Sequence, residues 1–342
     1  MKTVLVRRHG GPEVLEIADV PRPAPGPGEV LVQVKAVGMN HLDTWVRRGI
    51  PGVTLPLPMV PGSDAAGIVT EAGAGVAGLK PGDRVFLSAG FSCGRCAACL
   101  SGNEPLCKDY GILGEHRNGA AAEYACFPSS NWMPLPGGLS FEEGAAFPLV
   151  FLTAWRMVVT RGGVRPGDDV LVQAGGSGVG TAAVQIAKLH GARVFATVGS
   201  DDKIPKLKAI GADEVVNYRK TDFFEEVRRL TGKRGVDIVV ESVGQETWEK
   251  SLRSLARGGR LVTCGATSGY QAATDVRFVF SKGLSILGST MGSRAELLRV
   301  ADLVGRRRLQ PVIDRVLPLE KVAEGHRVMA ERSLFGKIVL TP

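Results

Sequence analysis

The sequence predicts an α/β protein in which a doubly wound parallel sheet accompanies a small, irregular β-barrel. Two observations carry that expectation. From Val170 to Gly191 the chain reads VLVQAGGSGVGTAAVQIAKLHG: an apolar strand, a turn crowded with glycines, and a helical pattern. Around that stretch the texture changes, with short strands between Gly and Pro turns before it and alternating strand and helix patches after it.

Taken in order, the first 35 residues read as strands and turns. Val4-Leu5-Val6 precedes a His9–Pro12 turn, Pro21–Gly28 is too rich in Pro and Gly for helix, and Val30, Val32 and Val34 alternate as in a strand. Polar groups follow at Asn40 and His41, with a helix expected to start near Asp43. Ile68–Glu71 reads as strand and Lys80–Val85 as turn. Turn signals at intervals of roughly 8–12 residues suggest the barrel.

Cys93, Cys96, Cys99 and Cys107 then form C-G-R-C-A-A-C-L-S-G-N-E-P-L-C, while Cys126 and Cys264 stand alone. Four thiolates on one short lobe suit a tetrahedral zinc site with no open position, structural rather than catalytic. An iron–sulfur cluster also takes four cysteines, but here the fourth comes late and no proline follows it. The lobe has few apolar residues, so bound metal should supply its folding energy. Disulfides are disfavoured in a reducing cytoplasm, the location expected from a start without signal-peptide layout.

In the glycine turn, Gly175, Gly176, Gly178 and Gly180 leave a helix N-terminus open to a pyrophosphate, with Ser177 where a strict G-x-G-x-x-G has glycine. Val179, Ala183, Ile186, Ala187 and His190 make the stripe of the following helix. The later patches are Arg193–Val198, Glu214–Val216, Phe223–Leu230, Val236–Val240, Trp248–Leu255, Arg260–Cys264 and Leu284–Leu287. In such a sheet the ligand lies across the carboxyl ends of the strands. That makes Gly199, Ser200, Val243 and Gly265 further cofactor candidates.

The chain has 342 residues, enough for two domains. Its net charge of +8 comes from scattered basic residues, so no specific nucleic-acid partner is expected. No apolar run approaches the ~18 residues of a membrane span.

These pieces together resemble the medium-chain dehydrogenase/reductase superfamily of zinc alcohol dehydrogenases and quinone reductases. The likeness covers the whole chain and rests on Pro25–Val30, Gly62–Gly67 with Gly82–Val85, the cysteine lobe, Glu123-Tyr124, Ala145-Ala146, the glycine turn and Gly211–Asp213. It implies a GroES-like barrel, the catalytic domain, from residues 1–150 and 293–342, with the zinc lobe at 93–107. A Rossmann domain would span 151–292, with the active cleft at the domain junction. It implies that Leu284–Thr290 is the last strand of the sheet, commonly the one that pairs subunits, so a homodimer or homotetramer is expected.

The departures from the alcohol-dehydrogenase pattern set the expected chemistry. Asn40 stands at the first zinc-ligating cysteine, Ser63 at the histidine, and Leu42 at the hydroxyl that relays the alcohol proton; Phe147–Thr153 contains no cysteine. These side chains cannot replace thiolate, imidazole and hydroxyl. Asn40-His41-Leu42-Asp43-Thr44-Trp45 instead looks like the quinone-reductase branch. The resemblance implies hydride transfer from NADPH to a quinone or α,β-unsaturated carbonyl without catalytic zinc. Asn40 would be catalytic, and Asp43 would orient neighbours or cap the following helix. Ser200, Lys203 and Tyr218 match positions that read the 2′-phosphate, and Thr153 joins the expected cofactor set. Two alternatives stand: a zinc-dependent alcohol dehydrogenase, and a non-enzymatic NADPH-binding or RNA-binding protein.

Overall fold

A computed structural model describes residues 1–342, which divide into two compact units. Residues 150–292 form one, and residues 1–149 with 293–342 form the other.

The unit at 150–292 is built on six parallel strands: β1 (Asp169–Val172), β2 (Arg193–Val198), β3 (Glu214–Asn217), β4 (Val236–Glu241), β5 (Leu255–Thr263) and β6 (Ser285–Gly288). Their order across the sheet is β3-β2-β1-β4-β5-β6, the doubly wound arrangement. Central strands covered on both faces need apolar residues throughout, and Leu171, Phe195, Val239 and Leu261 are all fully buried. β5 begins earlier than the Arg260 expected from pattern, because Leu255 pairs with Val236 before a register shift. At the opposite edge β6 leaves Ile286 exposed, and nearby in the chain Val276 and Phe280 project outward from the helix Val276–Lys282.

The strand β1 leads into the glycine turn and the helix Gly178–Leu189. Ser177 is its N-cap, with a hydroxyl that accepts the Gly180 N–H at 3.0 Å. That explains a serine at the position where the strict fingerprint has glycine. Gly180 is required by packing, since a Cβ there would lie 2.3 Å from the Ala174 carbonyl oxygen.

The other unit has a seven-stranded sheet. Its path runs Ile313–Pro318, Lys337–Thr341, Glu29–Gly38, Asp64–Ala72, Arg84–Leu87 and Trp132–Pro134, and Tyr124–Pro128 also pairs with Glu29–Gly38. The pairings are antiparallel except for the first two strands of the path, which run parallel. Arg84 and Val85, expected in a turn, belong to a strand paired with Ile68 and Gly67. The helix expected near Asp43 starts at His41 and runs to Arg48. The C-terminal strand Lys337–Thr341 thereby reaches the strand Glu29–Gly38 from the far end of the chain. No helix is long and apolar enough to cross a membrane.

Candidate functional site

Each unit carries one part of the candidate machinery, and the larger unit also carries the cysteine lobe. Within the unit at 150–292, parallel strands bring their carboxyl ends to one edge of the sheet. Gly175, Gly176, Ser177, Gly178, Val179 and Gly180 follow β1; Gly199, Ser200 and Lys203 follow β2; Tyr218 follows β3; Val243 follows β4; and Gly265 follows β5. Thr153 lies on the helix Pro148–Trp155, ahead of β1 in the chain. The N–H groups of Gly178 and Val179 open the helix and have no carbonyl one turn back within it, which is the usual seat of a phosphate. A Cβ at Gly175 would lie 2.9 Å from Leu207 and 3.0 Å from Ala196, so the turn is tightly packed from below. This edge fits a dinucleotide.

The end of β2 has no acid facing that edge. A side chain at Gly199 would start 2.7 Å from the Tyr218 hydroxyl. Asp201 is held by Asn217 at 2.7 Å and Lys220 at 2.5 Å, and these partners keep its carboxyl below the ordinary range. Asp202 is lowered first by the Ser200 hydroxyl.

In the other unit, Asn40 and Asp43 lie in a buried polar cluster. Asn40 caps the helix His41–Arg48, and Asp43 Oδ2 accepts the Asn40 N–H at 2.7 Å while Oδ1 accepts the Gly62 N–H at 3.2 Å. Complete burial pushes the Asp43 carboxyl up to about 6 against those two hydrogen bonds and the Lys337 charge. Asn40 Nδ2 donates to Asp64 Oδ2 at 2.9 Å, and Asn40 Oδ1 accepts from Lys337 Nζ at 2.5 Å. Lys337 also pairs with Asp64 at 3.2 Å, and both side chains are almost wholly enclosed. Asp64 Oδ1 accepts the Leu149 N–H at 2.9 Å. Ser63 is buried with no partner for its hydroxyl. His41 stands apart from any ligand set, edge-on to Trp45 with ring centroids 5.2 Å apart.

A catalytic zinc does not fit this cluster. Its donors are a carboxamide, a hydroxyl and a single carboxylate, and the Lys337 ammonium already pairs with that carboxylate. Sequence reasoning missed Lys337, which heads an apolar strand 297 residues after Asn40 and gives no local signal.

The same unit buries His326 with an unpartnered Nδ1. Burial, then the Arg47 and His41 charges, push its pKa down to about 3. The unfolded chain binds a proton near 6.5, so it takes up more protons than the folded chain below that value. This contribution is present above about pH 6.5 and lost as pH falls toward 3, at most on the order of 4 kcal/mol. Asp43 acts oppositely: its raised pKa means stability falls as pH rises from 3.8 to about 6. His326→Gln is therefore expected to flatten the acid side of a urea-denaturation profile between pH 4.5 and 7.5. A variant profile as steep as the parent's would count against this assignment.

The cysteine lobe brings the sulfurs of Cys93, Cys96, Cys99 and Cys107 within 4.8 Å of one another. Cys96 and Cys99 are 3.6 Å apart and Cys93 and Cys99 3.9 Å, close to the ~3.8 Å edge of a tetrahedron with 2.3 Å metal–sulfur bonds. Backbone N–H groups of Arg95 and then Cys96 hold the Cys93 thiol below its ordinary pKa. The donor set fits one structural zinc.

Comparison with known proteins agrees with the two-part architecture. The alcohol dehydrogenase GroES-like domain pattern matches residues 26–137 and the zinc-binding dehydrogenase pattern residues 178–306. A quinone oxidoreductase of Rattus norvegicus is 32% identical, across 99% of this chain and 97% of its own. A crystal structure described as an NAD-dependent alcohol dehydrogenase is 55% identical with a TM-score of 0.96, covering 100% of both chains. A cobalt- and zinc-bound thermostable alcohol dehydrogenase from Pyrobaculum aerophilum is 34% identical with a TM-score of 0.91, covering 100% of this chain and 99% of that one.

Proposed function

Since the chain belongs to the zinc-type alcohol dehydrogenase-like group of the medium-chain dehydrogenase/reductase superfamily, an NAD(P)-dependent oxidoreductase family, we propose that it is an NADPH-dependent reductase of quinones or α,β-unsaturated carbonyls that works without a catalytic zinc. The observation that carries this reading is the Asn40–Asp64–Lys337 cluster, which puts a buried ammonium where a metal site would need an open cation position. Quinones and conjugated carbonyls need less electrophilic activation than a ketone.

When bound, the reduced nicotinamide supplies the hydride. The glycine turn and the N-terminus of Gly178–Leu189 bind the pyrophosphate through backbone N–H groups. Tyr218, Ser200 and Lys203 select the 2′-phosphate at a place where Gly199 leaves no acid for the ribose hydroxyls. Asn40 and Asp43 act as positioning residues, because their hydrogen bonds are taken up by Asp64, Lys337 and the Gly62 backbone. One zinc in the cysteine lobe holds that lobe and takes no part in the chemistry.

The test is an acceptor screen with NADPH and NADH in parallel with alcohol oxidation by NADP⁺ and NAD⁺. NADPH consumption with quinones or enals is expected to survive mild chelation. Lys203→Ala with Tyr218→Phe is expected to raise the KM for NADPH about tenfold, the loss of one charge-assisted contact, and to leave that for NADH unchanged. The 55% likeness to a structure described as an NAD-dependent alcohol dehydrogenase favours a second reading. Alcohol oxidation with NAD⁺ exceeding every reductive activity would establish that one and discard the first.

A further inference from the structure

Beneath the glycine turn runs a hydrogen-bond chain that the reaction above does not use. Its members are Thr197 near the end of β2, Gln173 just after β1, Ser251 on the helix Trp248–Arg253, and Glu241 at the end of β4. None is more than 2% exposed. The Ala174 N–H donates to Thr197 Oγ1 at 3.1 Å, and the Thr197 hydroxyl donates to Gln173 Oε1 at 2.8 Å. Gln173 Nε2 donates to Ser251 Oγ at 3.0 Å, and the Ser251 hydroxyl donates to Glu241 Oε2 at 2.7 Å. Glu241 Oε1 accepts the N–H groups of Val243 at 2.6 Å and Gly244 at 3.1 Å, while Oε2 also accepts the Thr247 hydroxyl at 2.8 Å.

The chain has a single possible polarity. An ionised carboxylate only accepts, so Ser251 must spend its one proton on Glu241 and must itself accept from Gln173. That fixes which way the Gln173 amide faces and leaves its oxygen for the Thr197 proton. Thr197 is then obliged to accept from Ala174. At one end is Ala174, held at φ +50°, the residue that opens the glycine turn; at the other are Val243 and Gly244, the latter at φ +88°. Loops after two neighbouring strands, β1 and β4, are thus tied to one carboxylate through buried groups that cannot be left unpaired without cost.

We propose that Thr197–Gln173–Ser251–Glu241 is a positioning device that locks the 174–180 and 242–244 loops into one relative arrangement and so preorganises this unit for its dinucleotide. Gln173 is the positioning residue whose polarity decides the arrangement. The proposal rests on the reading that this unit binds a nicotinamide dinucleotide.

Gln173→Glu tests it with almost no change of shape. Ser251 then faces two carboxylates with one proton, and the dissociation constants for NADPH and NADH, read by fluorescence titration, are expected to rise about tenfold or more. Adding Glu241→Gln reverses the polarity of the chain: the carboxamide introduced at position 241 donates to Ser251, and Ser251 and Thr197 donate to the carboxylate introduced at position 173. The double variant is expected to recover affinity to within about threefold of the parent. Ser251→Ala breaks the chain without adding charge, should the first variant not fold, and is expected to weaken binding about fivefold. Dissociation constants within twofold of the parent in Gln173→Glu or Ser251→Ala would overturn the proposal, even with a lowered melting temperature. So would a double variant no tighter than the single. A parent protein that binds neither dinucleotide would overturn the cofactor reading itself, and the proposal with it.

Discussion

Replacing Lys337 with methionine is expected to destabilise the protein by about 3–5 kcal/mol in urea denaturation, because it strands a buried carboxylate. Methionine nearly matches the lysine stem in volume, so little of the loss would come from packing. What is lost is the partner of Asp64 and the donor to Asn40 Oδ1, both enclosed. The companion change Asp64→Asn is expected to return most of the stability. The carboxamide oxygen it introduces can still accept the Leu149 N–H, and the Asn40 amide can turn to accept from the new amide nitrogen. Such recovery in a double-mutant cycle would separate charge burial from simple crowding. A single-variant loss below about 1 kcal/mol, or a double variant no better than the single, would refute the view of Lys337 as the internal counter-ion.

Loss of the lobe metal is expected to have the second large effect. The residues around the cysteines have no core of their own. The helix Ala97–Leu100 buries nothing, and Leu100 and Leu106 are 76% and 68% exposed. With so little apolar burial, the four thiolates and their metal must hold the loop. Apparent binding energies for structural zinc of about 10–16 kcal/mol in small folds show how much one ion can contribute. Elemental analysis is expected to find about one zinc per chain, and Cys99→Ser to remove it. The variant should be cut by protease within residues 93–107 while the unit at 150–292 resists. A parent free of zinc, or a Cys99→Ser protein that keeps it, would rule this out.

The parallel sheet was readable because its strands are apolar runs with helical patches between them. Val170–Val172 and Arg193–Val198 fall where pattern places them. Ser177 was legible as part of a phosphate turn, but its capping role depends on the Gly180 N–H three residues on. In the other unit, turns and short strands blur the boundaries, so Arg84 and Val85 were read as turn. The helix begins two residues before Asp43, because Asn40 and Asp43 cap it reciprocally. What no pattern could supply were the charges buried by distant partners. Glu241 ends a strand whose period says nothing of Ser251 or Thr247, and Lys337 has meaning only when laid beside Asn40 and Asp64.

That distance bears on how the molecule is made. Residues 150–292 are complete before the strand Lys337–Thr341 leaves the ribosome, so their sheet can close while the other unit still has a gap beside Glu29–Gly38. Until that strand arrives, Asp64 has no ammonium to pair with and must stay hydrated. The earlier-made half of the unit is therefore held open by its own carboxylate, and its final closure awaits the last stretch of synthesis.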